Sequence, residues 1–348
     1  MARADKRILI RADGGPQVGL GHLMRCRSLA LELRRLGWDP VFYGDSGAGA
    51  GPGPLVDEEG LPLPWRAIEA GLDPRPGLGS DTARVAREWR VRAILVDSYG
   101  FAAADFQALK TTGVPTIALD DLGDRELPVD LIINPNPLVT PALYKWQTER
   151  SAVLAGEMFT IIRPEVLRVP RAGGWREDGS LLVSLGGGDV ADLLRQVVHA
   201  LPADLAQPVI ASVSPSCPRH LLEIWARTDP SRRALNHDPS LFPELMGKAA
   251  LAVTGGGTTL WELYYVGVPG VVLLWVENQK HTATVVRKRR TSLLLDIRAG
   301  FRAEPLRELL LQLWTDRGLA EAMISRQQAL IDGLGARRLA EAIETRYG

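Results

Sequence analysis

A buried strand that ends in a glycine-rich turn and runs straight into a helix leaves few folds open, and this chain begins with one. Arg7-Ile8-Leu9-Ile10 is a short apolar run that reads as the strand. Arg11-Ala12-Asp13-Gly14-Gly15-Pro16-Gln17-Val18-Gly19-Leu20-Gly21-His22-Leu23-Met24-Arg25-Cys26 follows it. Leu29, Leu33 and Leu36 then recur at helical spacing, and Gly37 supplies a stop. His22 and Arg25 are three positions apart, on one side of the first helical turn. Glycines in the turn let a ligand approach the backbone closely, and the helix N-terminus offers unpaired N–H groups with a partial positive charge. A histidine held there is expected to serve as a neutral base. No Gly-Lys-Ser/Thr follows, so the turn is not a Walker loop. Met24 takes the third glycine position, so it is not a clean dinucleotide fingerprint either.

The strand–helix alternation continues. Residues 39–43 read as a strand, part of the Gly/Pro-rich segment 44–79 as surface loop, and 81–90 as a helix. Ala93-Ile94-Leu95-Val96 is a buried strand ending in Asp97-Ser98-Tyr99. A helix over 103–112 and strands over 115–119 and 129–133 follow, the strands ending in Asp120-Asp121 and Asn134-Pro135-Asn136. Such alternation predicts a parallel sheet, whose ligands bind beyond the carboxyl ends of its strands. Asp13, Asp97, Tyr99, Asp121 and Asn134 are therefore expected along one edge, although Asp and Asn also suit the caps of the next helix or turn.

A polar, glycine-rich stretch at 168–179 reads as a linker. Beyond it, strand 180–185, Gly186-Gly187-Gly188-Asp189 and helix 190–201 repeat the opening pattern. Residues 208–213 read as a strand, 218–227 and 240–248 as helices, and 303–346 as mainly helical. Between them, strand 249–254 enters Gly255-Gly256-Gly257-Thr258-Thr259, and a helix carrying Glu262 runs to Val266. The next strand, 270–275, leads into Glu277-Asn278-Gln279. Glycine N–H groups, hydroxyls and a helix N-terminus suit a diphosphate, and a carboxylate one turn in suits a ribose diol. The plainer alternative is a glycine turn with a surface glutamate.

At 348 residues the chain is comfortable for two domains. Its 41 basic and 41 acidic residues cancel, which removes any global electrostatic case for nucleic acid or an anionic membrane. The 2 cysteines, Cys26 and Cys217, form neither a disulfide framework nor a zinc pattern. No leader or bilayer-length apolar run is seen, so a reducing, cytoplasmic setting is expected. His199, His220, His237 and His281 read as surface residues, and Arg287-Lys288-Arg289-Arg290 as a solvated helix end.

Together these motifs resemble the nucleotide-sugar enzymes of the MurG-like GT-B architecture. The N-terminal Arg-Ala-Asp-Gly…Gly-x-Gly-His-x-x-Arg-Cys narrows the resemblance to the family of PseG, the UDP-2,4-diacetamido-2,4,6-trideoxy-β-L-altropyranose hydrolase, and the spore-coat polysaccharide SpsG group. Asp97-x-Tyr99, Leu119-Asp120-Asp121, Asn134, Gly156, Ile162-Arg163-x-Glu165, Ser184-Leu185-Gly186-Gly187-x-Asp189 and Glu277-Asn278-Gln279 also match in order, across residues 7–280. The chain departs at Phe159, where a tyrosine is more usual, at 286–296, which lacks an expected glycine, and at 44–79, which has no counterpart.

The resemblance implies two Rossmann-like α/β domains facing across a cleft. Residues 1–168 are expected to carry the catalytic loop, 180–334 to bind the nucleotide, and 335–348 to pack a helix back on the first domain. It implies hydrolysis of a UDP-linked amino sugar to UDP and free sugar, without metal or cofactor, in pseudaminic acid or surface-polysaccharide biosynthesis. By position, His22 is the base on water, with Asp13 and Tyr99 beside it. Asp13 is expected to orient His22 or hold a sugar hydroxyl, and Tyr99 and Asn134 to contact N-acetyl groups. Gly186, Gly187, Gly256, Gly257, Thr258, Thr259 and Glu262 fall at the nucleotide site. Gly21, Arg25, Asp97, Asn134, Asn278 and Gln279 fall at the sugar. The expected partner is a small-molecule UDP-sugar, with no nucleic acid, no membrane span, and an open oligomeric state. A GT-B glycosyltransferase using the same donor and a non-catalytic nucleotide-sugar-binding protein remain open as alternatives. A UDP-N-acetylglucosamine 2-epimerase is weaker, because its additional acidic and histidine residues are not seen.

Overall fold

The computed structural model describes residues 6–14, 21–44, 55–57, 59–68, 77–145, 151–186, 190–202, 205, 207–213 and 220–348. The chain divides into two compact units, Met1–Ile162 with Gly333–Gly348, and Arg163–Asp332.

The first unit runs β1 (Arg7–Ala12), α1 (Gly21–Arg35), β2 (Asp39–Gly44), β3 (Trp65–Ala67), α2 (Leu78–Glu88), β4 (Ala93–Asp97), α3 (Ala103–Lys110), β5 (Thr116–Leu119), β6 (Leu131–Asn134) and β7 (Ala152–Ala155). These 7 strands form one sheet in the order β3-β2-β1-β4-β5-β6-β7, every pair parallel. Both faces are covered, which is why the central strands are apolar at successive positions. Ile8 and Ile10 face a core with Leu23, Cys26, Leu29 and Leu33 of α1, and Leu9 faces one with Val85, Phe106 and Leu109. Chain order reverses between β1 and β4, and the register Ala12↔Asp97 sets the carboxyl ends of those strands side by side. A crevice at such a reversal is where sheets of this kind bind ligands.

In the segment 44–79, expected in part as surface loop, the described residues contribute more than loop. They hold the edge strand β3 and a Val56–Pro62 bridge, and they bury Leu55 and Leu63 in the α1 core. A strand as short as Trp65-Arg66-Ala67 carries too few residues to show a period.

The second unit contains α4 (Pro164–Leu167), β8 (Ser180–Ser184), α5 (Ala191–Ala200), β9 (Val209–Ser212), α6 (His220–Arg227), β10 (Arg233–Asn236), α7 (Phe242–Lys248), β11 (Ala249–Gly255), α8 (Thr258–Val266), β12 (Gly270–Leu274), α9 (Lys280–Arg289), β13 (Leu293–Asp296), α10 (Ala303–Thr315) and α11 (Arg317–Leu330). Its 6 parallel strands lie in the order β10-β9-β8-β11-β12-β13, with the reversal between β8 and β11. Each unit is thus a doubly wound, Rossmann-like sheet. Residues 168–179 lie within this unit, where the Ala172 N–H donates to the Val266 carbonyl at 2.7 Å. Arg287, Lys288 and Arg289 form the last turn of α9.

α12 (Gly335–Tyr347) belongs to the first unit. Ala336, Leu339, Ala340 and Ile343 enter the α1 core. Glu344 accepts from Lys6 Nζ at 2.5 Å and from Trp38 Nε1 at 2.7 Å. Among the described residues, no helix is long and apolar enough to cross a membrane.

Candidate active site

At the reversal of the first sheet, five of the residues singled out in the sequence meet: His22, Arg25, Asp97, Tyr99 and Asp121. β4 delivers Asp97 at its last position, 1% exposed, and α1 delivers His22 and Arg25 from its first turns. His22 Nδ1 lies 2.6 Å from Asp97 Oδ1. Arg25 clamps the same carboxylate from the other side, with Nε 2.7 Å from Oδ2 and Nη2 2.6 Å from Oδ1. Burial opposes ionisation of Asp97, yet the Arg25 guanidinium and the imidazole hold its carboxyl far below the usual range. An ionised carboxylate only accepts hydrogen bonds, so Nδ1 carries a proton and donates it to Asp97. Nε2 has no hydrogen-bond partner among the described residues. In the neutral ring its lone pair is available, which is the arrangement a general base requires.

Arg25 reaches a second carboxylate, with Nη1 at 2.8 and 2.9 Å from the two oxygens of Asp121, just after β5. Asp121 also accepts from Tyr99 Oη at 3.0 Å and from Asn136 Nδ2 at 3.1 Å. Burial works against its charge as well, and Arg25 nonetheless keeps it below the usual range. Tyr99 is 48% exposed, and its ring meets the His22 ring edge to face, centroids 4.7 Å apart. Cys26 Sγ lies 3.4 Å from Asp97 Oδ2, and burial followed by the Asp97 charge pushes its thiol well up, away from the reactive thiolate.

The other expected residues of this unit stand around that cluster. Gly21 is the first residue of α1. Asp13 pairs with Arg11 and accepts from Ser98 Oγ at 2.7 Å. Asn134 is fully buried; its amide donates to Tyr144 Oη at 2.8 Å and accepts from the Asn136 N–H at 3.1 Å. Tyr144 in turn donates to Asp120 at 2.6 Å. Gly15, Pro16, Gln17, Val18, Gly19 and Leu20 of the opening turn lie outside the described residues.

In the second unit the glycine turns also fall at the sheet reversal. Gly186 follows β8 with φ +105°, a left-handed angle that suits glycine; Gly187 lies outside the described residues. Gly257 caps α8, whose first turn contains Thr258 and Thr259. Thr282 Oγ1 donates to the Gly256 carbonyl at 2.9 Å. Gln279, 8% exposed, accepts from the Trp275 N–H at 3.2 Å and packs against Gly256, where a Cβ would come within 3.2 Å of it. Asn278 lies in the short turn Glu277–Gln279 before α9. Glu262 is 4% exposed and takes a bidentate pair from Arg163, Nε to Oε1 at 2.5 Å and Nη2 to Oε2 at 2.7 Å.

Asp121 and Arg163 are the two residues whose structural weight the sequence understated. Asp121 carried two signals, its place after a strand like Asp97 and the matched Leu119-Asp120-Asp121, while Arg163 stood only in a matched motif. Among the described residues, no group of three His, Cys, Asp or Glu side chains is arranged to hold a metal ion.

The fold is of the GT-B class. A crystal structure of MurG from Acinetobacter baumannii superposes with a TM-score of 0.64 at 14% identity, covering 98% of this chain and 99% of that one. A glycotransferase of kitacinnamycin superposes at 0.68 with 17% identity, covering 99% and 100%. The Staphylococcus aureus MnaA–UDP structure superposes at 0.68 with 13% identity, covering 98% and 96%. No protein-family model matches the chain. In sequence it is similar to the UDP-2,4-diacetamido-2,4,6-trideoxy-β-L-altropyranose hydrolase of Campylobacter jejuni, 22% identical over 287 residues, 81% of this chain and 97% of that protein. It is also similar to the spore coat polysaccharide biosynthesis protein SpsG of Bacillus subtilis, 23% identical over 346 residues, 97% and 98% of the two chains.

Proposed function

We propose that this protein hydrolyses a UDP-linked amino sugar of the 2,4-diacetamido-2,4,6-trideoxyhexose type to UDP and free sugar, in surface-polysaccharide or nonulosonic acid biosynthesis. The similarity to the C. jejuni hydrolase and to SpsG supports nucleotide-sugar chemistry in polysaccharide biosynthesis. The observation that carries hydrolysis is the His22–Asp97 pair at the reversal of the first sheet. Nδ1 is committed to an ionised carboxylate, which leaves Nε2 as the basic position.

In this reading a water attacks the anomeric carbon while Nε2 takes its proton. The new C–O bond forms as the bond to the diphosphate breaks, and UDP leaves with that electron pair. The imidazolium is stabilised by Asp97 and later returns its proton to solvent. The nucleotide role falls to Gly186, Gly187, Gly256, Gly257, Thr258, Thr259 and Glu262, whose glycine N–H groups and α8 N-terminus suit the charge growing on the diphosphate. Gly21, Tyr99, Asn278 and Gln279 are assigned to the sugar. Arg25 and Asp97 position His22; Asp13 and Asn134 support the same edge.

Incubation of the UDP-linked diacetamido sugar with the protein alone tests this. Steady UDP release is expected with no acceptor, and His22→Asn should lower it by about 10²–10⁴-fold while calorimetric UDP affinity is unchanged. The GT-B fold is shared with glycosyltransferases, and in that second reading the same imidazole activates an acceptor hydroxyl. UDP release that waits for an added acceptor would favour it.

A further inference from the structure

Arg25 sets the base a problem that Asp97 alone does not solve. Arg25 Nη2 lies 3.2 Å from His22 Nδ1, so a buried guanidinium stands directly against the ring that is to take a proton. Asp97 can offset only one of the two cations. Paired with Arg25 it is already balanced, and an imidazolium would leave a net positive charge in a buried cluster. Asp121 removes that excess. Both its oxygens receive Arg25 Nη1, at 2.8 and 2.9 Å, on the edge of the guanidinium that Asp97 does not use. Two carboxylates then face one guanidinium while the imidazole is neutral, and proton uptake at Nε2 brings the cluster to neutrality. The other groups nearby leave that count unchanged. Burial keeps Tyr99 a phenol and Cys26 a thiol, Asp13 pairs with Arg11, and Asp120 faces Arg125 at 3.7 Å. Asp121 is also held from outside the cluster, where Asn136 Nδ2 donates to its Oδ1 at 3.1 Å. Two residues beyond Asn136, Leu138 keeps a left-handed φ of +65°, with its N–H on Glu157 Oε2 at 3.1 Å. Strain of that kind persists only where the surrounding structure over-determines it.

We propose that Asp121 is a positioning residue for the reaction, acting through Arg25: it holds the guanidinium in place and supplies the second negative charge that lets His22 take a proton from water without a buried net charge. This rests on the reading of His22 as the base and deepens it. The role needs no contact between Asp121 and the sugar or the nucleotide. Its sign is fixed by the charges. Removing the Asp121 charge makes proton uptake by the ring harder and the base weaker. Removing the Arg25 charge leaves two carboxylates beside the ring and makes proton uptake easier.

The test uses the full-length protein without ligand, and the probe is the proton itself. The His22 imidazole is followed by NMR through the range in which histidine titrates, its signal assigned by its loss in His22→Asn. Asp121→Asn keeps the size of the side chain and removes its charge, and the midpoint should fall by about 1 pH unit. Arg25→Gln removes the cation, and the midpoint should rise. Asp121→Glu restores the charge and should lie nearer wild type than Asp121→Asn does. In turnover, the low-pH limb of UDP release should move with the NMR midpoint. Asp121→Asn is then most impaired at neutral pH, and its deficit narrows as the pH falls, whereas simple packing damage gives the same deficit throughout. An unmoved midpoint in Asp121→Asn, or a shift in the same direction in Asp121→Asn and Arg25→Gln, overturns the proposal. Should Asp121→Asn not fold, Arg25→Gln decides alone, and a midpoint that falls or stays put overturns it. Failure of the parent reading looks different: no UDP is released at any pH, while the two opposite shifts remain.

Discussion

The Arg163–Glu262 pair is where structure and stability can be tied together most sharply. Arg163→Met removes the guanidinium and leaves the Glu262 carboxylate, 4% exposed, without its bidentate partner. Breaking a buried pair from one side costs about 3–5 kcal/mol, because an uncompensated charge stays behind. The Arg163 side chain is 18% exposed, so water can enter from its side, and the lower end, about 3 kcal/mol, applies. In a unit of this size each kcal/mol moves the midpoint by roughly 2–4 °C, so the second unit should melt roughly 6–12 °C earlier. Arg163→Met/Glu262→Leu removes both charges, and it should recover most of that loss because two apolar side chains can share the space. Calorimetry, with peptide-level hydrogen exchange assigning each transition to its unit, reads the result. The first unit's transition should not move. A single variant within about 0.5 kcal/mol of wild type, or a double variant that is the sum of its singles, would refute the coupling.

Other expectations follow from the first unit and from the glycine turn. Asp97→Asn no longer demands a proton on Nδ1 and should reduce UDP release by about 10²-fold or more, with UDP affinity retained by calorimetry. Asp97 and Asp121 are both held below the usual carboxylate value, so their stabilisation is full above about pH 4 and is lost as pH falls through that region and below. Asp120 is raised by burial, has the opposite sign and offsets part of the loss. Urea titrations of wild type should therefore weaken toward pH 3, and Asp97→Asn should flatten the slope. Gly255→Ala places a methyl into the Trp275 ring and should cost about 1–3 kcal/mol, with weaker UDP binding by calorimetry. Chelation with EDTA should leave the rate of UDP release unchanged, since glycine N–H groups and a helix N-terminus suffice for the diphosphate charge in this reading; a loss restored by a divalent cation would count against it.

The legible parts of this chain are those whose signal is local. β1, β4 and β11 carry apolar residues at successive positions because both faces are covered; β4 ends in Asp97, β11 in Gly255, and β1 in Ala12 just before Asp13. β3 and β10 escape that reading because they are short strands at sheet edges, and Arg66, Arg233 and Asn236 leave them no apolar run. The site divides along the same line. His22, Arg25, Asp97 and Tyr99 are legible as residues, since a strand's carboxyl end and a helix's first turn mark them. Their pairing is not legible. Which carboxylate meets the imidazole is decided by the parallel register that sets Ala12 beside Asp97, and register is a property of two strands rather than of either. Arg163 and Glu262 are 99 positions apart, and neither residue's neighbours point to the other. That Tyr99 donates to Asp121 lies deeper still, because it follows only once Asp121 is known to be held ionised by Arg25. Chemistry set by proton direction, at Tyr99 as at the His22 imidazole, is therefore the last thing a sequence discloses.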